Sequence, residues 1–513
     1  MNSRRFVAHK DILPFSFLLA IWFLVSIVLG EEGNIGNASV LIYVFAVLGV
    51  CQFVLTLNSS RHLQDQWITP YCIFFAFLFV FNYGQFAMWA VGIHMKGELT
   101  QTTFIRYIDL STACRIEVIT LEMFSAFHLG ALLASGGNYP VSIDDRIDKL
   151  DKRVFRMIGT PILIVSATIN IAYTIIWFIA ARSMGYSALF DISMPSILKY
   201  LSYMFYPALF LNLVAHDFSR KSFFVLSTVF CLYAVPLLIT GDRSSWIYFL
   251  GPWVFAFFKY VPKKRKNQAL SQKDVRKRFI RGVILILCLI YLAAMFTSVR
   301  DDGISNYNFT DFDFADLTRP FIKPFFEMGQ SAVLLGVMIQ DKFFLNWEFG
   351  NTYISAILGM VFPRIRTFFG YPEFYIENWM SDYLSMGNYG VGFSAPAEAY
   401  LNGGLFFSWI YMLFYGFFIG KLVLLPNRGK NSAKRMFVSL SATAILTPST
   451  RGSMDLFLRM FFWGVVVVLL IEQTSIYRYK NCCLRVDLQD SNKDARQSDD
   501  KQETGPSNTN PSP

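Results

Sequence analysis

Two short turns between apolar stretches place arginines where they could meet an anion. One turn is ITGDRSSWIYF (239–249), which contains Arg243, and the other is LTPSTRGSMDLFLRMFF (446–462), which contains Arg451 and Arg459. A helix that begins at such a turn leaves backbone N–H groups without partners, and these groups bind anions together with the helix dipole. Arginine adds a fork-shaped donor that matches phosphate. Both turns predict a phosphate site, although a capped helix with an interface-anchored or paired arginine also explains them.

The second turn carries a further pattern of charge. Arg451, Asp455 and Arg459 are spaced i, i+4, i+8, so we expect them to share one face of a helix that descends into the membrane. A cation at the depth of Arg459 is costly in lipid and must face protein, a partner or a wet cavity. The pattern indicates either a structural Arg–Asp–Arg ladder or a ligand site.

The long polar and aromatic segment 300–402 supplies more candidates. Its arginines include Arg319 and the pair Arg364 and Arg366, which follows an apolar run and suits a headgroup phosphate, or an anchor at the membrane interface. The segment ends in GVGFSAPAEAYLNGG (390–404), which places Glu398 near a helix start. That carboxylate could act as a general base or accept a sugar hydroxyl, and it could equally compensate a helix dipole.

Composition defines the class of protein that must position these residues. The chain has 513 residues, is 54% hydrophobic and only 16% charged, and its mean hydropathy is +0.41. These values are typical of a polytopic helical membrane protein. The net charge of +10 comes from basic clusters between apolar spans, such as 263–278 and 426–435. Such clusters are an orientation signal, so nucleic acid is not expected as a partner.

Apolar windows long enough to cross a bilayer predict an all-α fold with about twelve transmembrane helices. Their approximate limits are 13–29, 39–57, 71–93, 117–136, 158–181, 198–215, 222–240, 244–258, 282–298, 403–420, 436–447 and 455–473. The basic clusters fall on one side if both termini are cytoplasmic. Segment 300–402 is then one large outer loop, whose apolar runs 331–339 and 353–362 are too short to cross and are expected to lie on, or dip into, the outer leaflet.

This topology divides the chain into four parts. Residues 1–299 hold about nine transmembrane helices, 300–402 form the outer loop, and 403–475 hold about three more helices. Residues 476–513 form a cytoplasmic tail that we expect to be disordered from about 487, because almost no apolar residues follow. Acidic pairs such as Glu31-Glu32 are typical of solvated loops, so no metal site and no cofactor are predicted.

The combination of motifs resembles the Wzy-type O-antigen and oligosaccharide repeat-unit polymerases. The shared features are Gly241-Asp242-Arg243-Ser244, the large loop 300–402, the late Arg451-Gly452 turn, and the segment with Gly390, Gly392, Ser394, Glu398, Tyr400, Asn402 and Gly404. The resemblance implies a multi-pass enzyme of the bacterial inner membrane. Such a glycosyltransferase joins undecaprenyl-pyrophosphate-linked oligosaccharides into O-antigen of lipopolysaccharide, capsule or exopolysaccharide, next to a flippase and a chain-length regulator.

The resemblance suggests roles for the candidate residues. Arg243, Arg451 and Glu398 become the catalytic candidates, with the arginines on pyrophosphate and Glu398 on the acceptor hydroxyl. The candidates for binding pyrophosphate or sugar are Arg319, Arg364, Arg366, Arg459, Tyr400 and Asn402. Three alternatives stay open: an O-antigen ligase-like enzyme, a lipid-phosphate-sugar-dependent glycosyltransferase using Glu31-Glu32, and, from another class, a lipid-linked oligosaccharide flippase.

Overall fold

The architecture comes from a computed structural model of the chain. It describes residues 3–64, 68–101, 105–135, 145–184, 192, 194–240, 242, 244–261, 319–343, 349–371, 376–385, 392–425 and 432–477. Every regular element in these ranges is helical, as the sequence predicts. The predicted ninth span (282–298) and the tail from 478 lie outside the described residues.

Nine helices in the described ranges precede the long segment. They are α1 (Ser3–Leu29), α2 (Ala38–Gln64), α3 (Pro70–Trp89), α4 (Leu110–Ser135), α5 (Asp145–Met184), α6 (Ser196–Ser202), α7 (Phe205–Ala215), α8 (Arg220–Ile239) and α9 (Ser244–Tyr260). Local chemistry sets several starts: the Thr69 hydroxyl accepts from the Cys72 N–H (3.1 Å), and Pro70 occupies the first turn of α3.

Eight more helices follow among the residues that the structure describes. They are α10 (Arg319–Gly329), α11 (Ala332–Gln340), α12 (Asn351–Leu358), α13 (Pro363–Phe368), α14 (Ile376–Tyr383), α15 (Ala395–Val423), α16 (Ala433–Leu446) and α17 (Met454–Phe461). A 3₁₀ turn (Thr447–Thr450) joins α16 to the α17 turn. A π-helical turn (Phe462–Val466) extends α17 into a longer apolar helix that ends at Tyr477.

Nine helical stretches among the described residues are long and apolar enough to cross a membrane, and one of them, Ser196–Ala215, consists of α6 and α7 together. They coincide with predicted spans one to seven, ten and twelve. The eighth and eleventh predicted spans are helices too, but α9 has 17 residues and α16 only 14. The structure therefore supports a multi-pass helical membrane protein, and the count of twelve stays a prediction.

Helix α4 is the centre of the fold, and it packs closely on α15 through glycines. A Cβ atom built at Gly416 would lie 1.9 Å from the Phe127 carbonyl oxygen, and one at Gly130 would lie 2.0 Å from the Leu413 carbonyl oxygen. Small residues allow such approach of two backbones inside a membrane protein. Almost every residue of α4 is buried as a result.

The boundary predicted at 402/403 falls inside helix α15. The helix begins at Ala395, because Ser394 caps it by accepting from the Ala397 N–H at 3.1 Å. It breaks at Gly404, whose φ of 58° and ψ of −157° are not helical, and then continues to Val423. The end of segment 300–402 is therefore a short buried half-helix, and glycine allows the break because its φ is positive.

The first short apolar run does not lie on lipid, contrary to the prediction. Residues 332–339 belong to α11, and all of them are buried, with side chains that are at most 2% exposed. The helix is enclosed by protein, where Gly336 faces Ile108 and Ile116. A nine-residue helix that is apolar on all sides gains more from complete burial than from lying at an interface. The second run forms α12, which buries Thr352 and Ala356 and exposes Ile354 and Ile357; its place at the leaflet stays a prediction.

Candidate functional site

Glu398 lies in the first turn of α15, as predicted, but it is only 1% exposed. One carboxylate oxygen accepts from the Thr352 hydroxyl at 3.0 Å. The other accepts from the Met454 N–H at 2.9 Å, which is the first N–H of α17. A carboxylate at a helix N-terminus is stabilised by the helix dipole and satisfies an N–H that the helix cannot pair. In this position Glu398 joins α12, α15 and the start of α17.

Asn402 extends this junction one turn further along α15. Its amide oxygen accepts from the Thr352 N–H at 3.2 Å. Its amide nitrogen donates to the Thr352 hydroxyl at 2.6 Å and to the Glu398 carbonyl at 2.7 Å. Glu398, Asn402 and Thr352 thus form one buried hydrogen-bond network that fixes the start of α12 against α15.

Two buried arginines share the Asp455 carboxylate at the start of α17. Arg366 pairs with one oxygen at 3.2 Å and is 0% exposed, and Arg459 pairs with the other at 2.8 Å. Arg459 also donates to the Gly359 carbonyl at 3.2 Å. The predicted pair Asp455 and Arg459 is confirmed.

The predicted ladder is wrong at its first member. Arg451 precedes α17, which begins at Met454, and the second arginine on Asp455 is Arg366. The i, i+4, i+8 rule applies only within one helix, and the turn at 451–453 interrupts it. The result is a cluster of two guanidinium groups and one carboxylate, in which desolvation is costly unless each charge has partners.

Arg451 occupies the turn before α17 and is exposed. Its guanidinium lies over the Phe81 ring at 5.8 Å from the ring centroid, which is cation–π geometry. Within the described part of the chain, no carboxylate forms an ion pair with it. Its own carbonyl accepts from the Phe393 N–H at 3.1 Å, so the segment that precedes Glu398 and the turn that carries Arg451 are in direct contact.

Gly392 explains how this contact fits. Its φ is +73°, and a Cβ atom there would lie 3.3 Å from the Arg451 carbonyl oxygen. The turn is held on its other side by Asn82, which donates to the Thr450 carbonyl at 3.0 Å. The backbone around Arg451 is thus fixed on both sides, while its side chain is exposed.

The first arginine turn lies near the second. The Tyr248 hydroxyl, on α9, is within electrostatic range of both Arg451 and Asp242. Asp242 is buried, and its carbonyl accepts from the Trp246 indole at 2.7 Å. Arg243 itself lies outside the described residues.

Tyr400 faces away from Glu398, toward the loop between α1 and α2. It is fully buried, and its hydroxyl donates to the Glu31 carboxylate at 3.2 Å. The Leu405 N–H, at the point where α15 resumes after Gly404, lies close to Glu31. Burial raises the pKa of Glu31 above its ordinary value of 4.5, although the Tyr400 hydroxyl favours the charged form.

The other predicted residues are spread more widely. Arg364 is exposed and Arg366 is buried, so the two do not point into one site as a pair. The side chain of Arg319, at the start of α10, lies outside the described residues, as does Gly390. The structure therefore brings together Glu398, Asn402, Arg366, Arg459 and Arg451, and leaves Tyr400 and Arg364 apart from them.

Sequence reasoning missed Thr352, Phe81 and Asn82. Thr352 is the second residue of a short helix, and its sequence context is that of any helix start. Phe81 and Asn82 lie in an apolar span where one polar residue gives no sign of its partner. An intramembrane asparagine is costly without a partner, and that was the available signal.

The architecture and the site define a multi-pass helical membrane protein with an arginine-rich centre at the start of its last long helix. The family model described as O-antigen polysaccharide polymerase Wzy matches residues 12–481. The chain belongs to this family. No match was found among curated proteins or among solved structures.

Proposed function

We propose that the protein joins oligosaccharide repeat units, each carried on undecaprenyl pyrophosphate, into a longer glycan. Membership of the Wzy family supports a polymerase of repeat units. The observation that carries the proposal for the site is Arg451, an exposed cation on a backbone held from two sides. A guanidinium carried on a backbone held in this way suits the charge that develops on a departing pyrophosphate.

The chemistry is a substitution at the anomeric carbon of the donor glycan. The hydroxyl oxygen of the acceptor repeat unit forms a bond to that carbon, and the bond from the carbon to the pyrophosphate oxygen breaks with both electrons on oxygen. The proton of the acceptor hydroxyl passes to the departing pyrophosphate. Lipid pyrophosphate is released, and no nucleotide sugar takes part.

The arginines divide the work in this proposal. Arg451 and Arg243, on neighbouring turns, hold the leaving pyrophosphate. Arg366 and Arg459 are held by Asp455 and give the start of α17 a positive potential. Arg319 and Arg364 contact substrate phosphate from the long loop. Charge-assisted contacts are worth about 1.5–3 kcal/mol each, so two that strengthen in the transition state have a large effect on rate.

Glu398 has a different role in this proposal from that of a base. Both of its oxygens already accept hydrogen bonds, and a base must be within reach of the proton that it takes. We propose that Glu398 is a positioning residue: through Met454 it fixes the start of α17, three residues after Arg451. Asn402 supports it, and Tyr400 fixes the loop before α2.

The proposed location follows from the same reaction. Lipid-linked repeat units are used on the outer face of the bacterial inner membrane, so the site lies at the outer ends of α15 and α17. The proposed partners are a flippase that delivers the units and a chain-length regulator that ends growth. The product is O-antigen, capsule or exopolysaccharide.

The glycan profile of a deletion strain tests the function. The proposal predicts a surface glycan of one repeat unit in the deletion strain and a full ladder after complementation. Loss of all attached glycan would indicate a ligase-like enzyme instead. Accumulation of lipid-linked units in the inner leaflet would indicate a flippase, and sensitivity of the purified enzyme to a chelator would favour the lipid-phosphate-sugar-dependent alternative.

A further inference from the structure

A second basic centre lies beside α17, among other neighbours than those of Arg451. Lys199, on α6, is exposed and lies within electrostatic range of Arg459. Arg459 is 4% exposed and is held in place by Asp455 and by the Gly359 carbonyl. Among the described residues no carboxylate forms an ion pair with Lys199. The centre holds three cations, Lys199, Arg366 and Arg459. Its carboxylates are two, Asp455 and Glu398, so its described charges sum to a positive value.

Aromatic side chains form a wall beside this centre. Tyr200 and Trp463 are stacked with centroids 5.0 Å apart, and Phe362 meets the edge of Trp463 at 5.5 Å. The Trp463 indole donates to the Val361 carbonyl at 2.9 Å, which fixes the stack. Trp463 belongs to the π-helical turn that follows Arg459, and π-helical turns are frequent at functional sites.

The centre opens toward lipid. Ile197, two residues before Lys199, is 74% exposed, and Phe362 is 44% exposed. An ammonium at the end of a membrane helix, beside exposed apolar residues and aromatic rings, lies at the depth of lipid headgroups. A ligand there would enter from the bilayer with its tail in lipid and its anionic group on Lys199.

A polymerase of lipid-linked units needs two such ligands at once. Arg451 faces Phe81 on α3 and Tyr248 on α9. Lys199 lies on α6, and Arg459 donates to the Gly359 carbonyl at the end of α12. The two centres therefore have different neighbours, and Arg459 lies within α17 whereas Arg451 lies in the turn before it, so each centre can hold its own diphosphate. Two like-charged diphosphates also repel each other, so separate cations are needed for them.

We infer that Lys199 and Arg459, with the wall of Tyr200, Phe362 and Trp463, bind the diphosphate end of the second lipid-linked substrate, the acceptor. This inference rests on the proposed function, in which Arg451 binds the donor diphosphate. The acceptor keeps its own diphosphate through the reaction. The second site therefore anchors the acceptor and takes no part in bond cleavage.

Two acceptors separate the anchor from the chemistry. Purified enzyme in lipid nanodiscs receives a lipid-linked donor and either a lipid-diphosphate-linked repeat unit or the same oligosaccharide without lipid and phosphate. For Lys199→Gln we expect the KM of the lipid-linked acceptor to rise about ten-fold, with kcat unchanged. A ten-fold loss of affinity corresponds to the lower end of the free energy of one charge-assisted hydrogen bond. Transfer to the phosphate-free acceptor should not change. Lys199→Arg should restore the KM, and Lys221→Gln, at an exposed lysine of another helix start, should have no effect.

Binding of the carrier gives a second readout that does not need turnover. Native mass spectrometry should show two molecules of undecaprenyl diphosphate on the wild type and one on Lys199→Gln. Inorganic pyrophosphate should not displace the second molecule if the lipid tail contributes to binding. Anionic phospholipid that occupies the site equally well would overturn the assignment to the acceptor.

The outcomes distinguish the two proposals. An unchanged KM and two bound carriers in Lys199→Gln, with a normal ladder from the wild type, would overturn the second site alone. Equal loss with both acceptors would assign Lys199 a structural role and overturn it too. A wild-type enzyme that forms no glycan bond from lipid-linked units would overturn the proposed function, and the second site with it.

Discussion

Glu398 and Glu31 each accept a hydrogen bond that ties one part of the chain to another. Glu398 accepts from the Met454 N–H at the start of α17, and Glu31, between α1 and α2, accepts from the Tyr400 hydroxyl of α15. The Glu398 carboxylate satisfies an N–H that α17 leaves without a partner. At the scale of residues, the acidic groups of this site therefore hold backbone in place, and the exposed charge is that of Arg451.

Replacing Glu398 by Gln tests whether it positions or takes a proton. The amide keeps one acceptor for Met454 or Thr352 and loses the charge at the helix start. We expect the free energy of unfolding to fall by about 1–3 kcal/mol and kcat by less than about ten-fold. The pH–rate profile should keep its shape. Removal of a general base typically costs a factor of about 10² to 10⁴, so a loss of that size with an altered acid limb would contradict the positioning role.

Glu31 predicts a pH dependence of stability. Because burial raises its pKa, the folded state binds this proton more tightly than the unfolded chain does. The stabilisation is complete below the ordinary value of 4.5 and is lost as the pH rises through the folded pKa. Glu31→Gln should therefore flatten melting temperature against pH in this window. If the melting temperature of the wild type rose more steeply with pH than that of Glu31→Gln, the dependence would have the opposite sign and would contradict this prediction.

Sequence patterns located the charged residues of the site and the pair of Asp455 with Arg459, but not the second arginine on Asp455. The arginine turns and the segment 390–404 were identified because charge and glycine are rare in apolar surroundings. The pairing of Arg366 with Asp455 joins residues 89 positions apart, and no local spacing encodes it. The predicted ladder of Arg451, Asp455 and Arg459 is wrong because α17 begins only at Met454, so helical spacing does not extend back to Arg451.

The contact of α4 with α15 is the decisive packing at the scale of elements. Both helices were predicted from apolar length, but their close approach depends on glycines whose partners lie about 290 residues away, as Gly416 and Phe127 illustrate. The burial of α11 was not predicted for a similar reason, because an apolar run of nine residues does not reveal whether protein or lipid covers it. Pattern predicts the element, and tertiary packing decides its surroundings.

Gly416→Leu tests this packing. Its Cβ would lie 1.9 Å from the Phe127 carbonyl, a contact with backbone that no side-chain rotation relieves. We expect a loss of more than about 3 kcal/mol, above the usual range for overpacking. The yield of monodisperse protein after detergent extraction measures it. Gly36→Ala, where nothing lies within 4 Å, is the control and should match the wild type. Equal yields for both variants would show that the helices do not approach as described.

The contacts of the whole molecule sort its connecting segments into two ends. At one end Lys342 pairs with Glu32, and Tyr400 donates to Glu31. At the other end Lys434 pairs with Glu472 at 2.9 Å, and the Ala433 N–H donates to an Asp148 oxygen at 2.7 Å. The predicted alternation of inner and outer segments is consistent with this sorting. Which end faces the cytoplasm stays a prediction from the basic clusters.

Reporter fusions test that orientation. An alkaline phosphatase fusion after Ser385, in the long loop, should be active, and one after Asn431, in the basic connection before α16, should be inactive. A fluorescent protein that folds only in the cytoplasm should give the inverse pattern at the same two positions. Phosphatase activity at both positions, or at Asn431 alone, would reverse or break the predicted topology.

The most direct test of the central claim is the rate of polymerisation by Arg451 variants in proteoliposomes. Enzyme and lipid-linked repeat unit are the only reactants, and released lipid pyrophosphate and glycan length are measured together. Loss of a fixed donor on a developing charge costs about 10² to 10³ in kcat, so Arg451→Ala should slow release and chain growth together by that factor. Arg451→Lys should be intermediate, and Arg61→Ala, at the other end of the molecule, should equal the wild type. An unchanged ladder and unchanged release by folded Arg451→Ala would contradict the account.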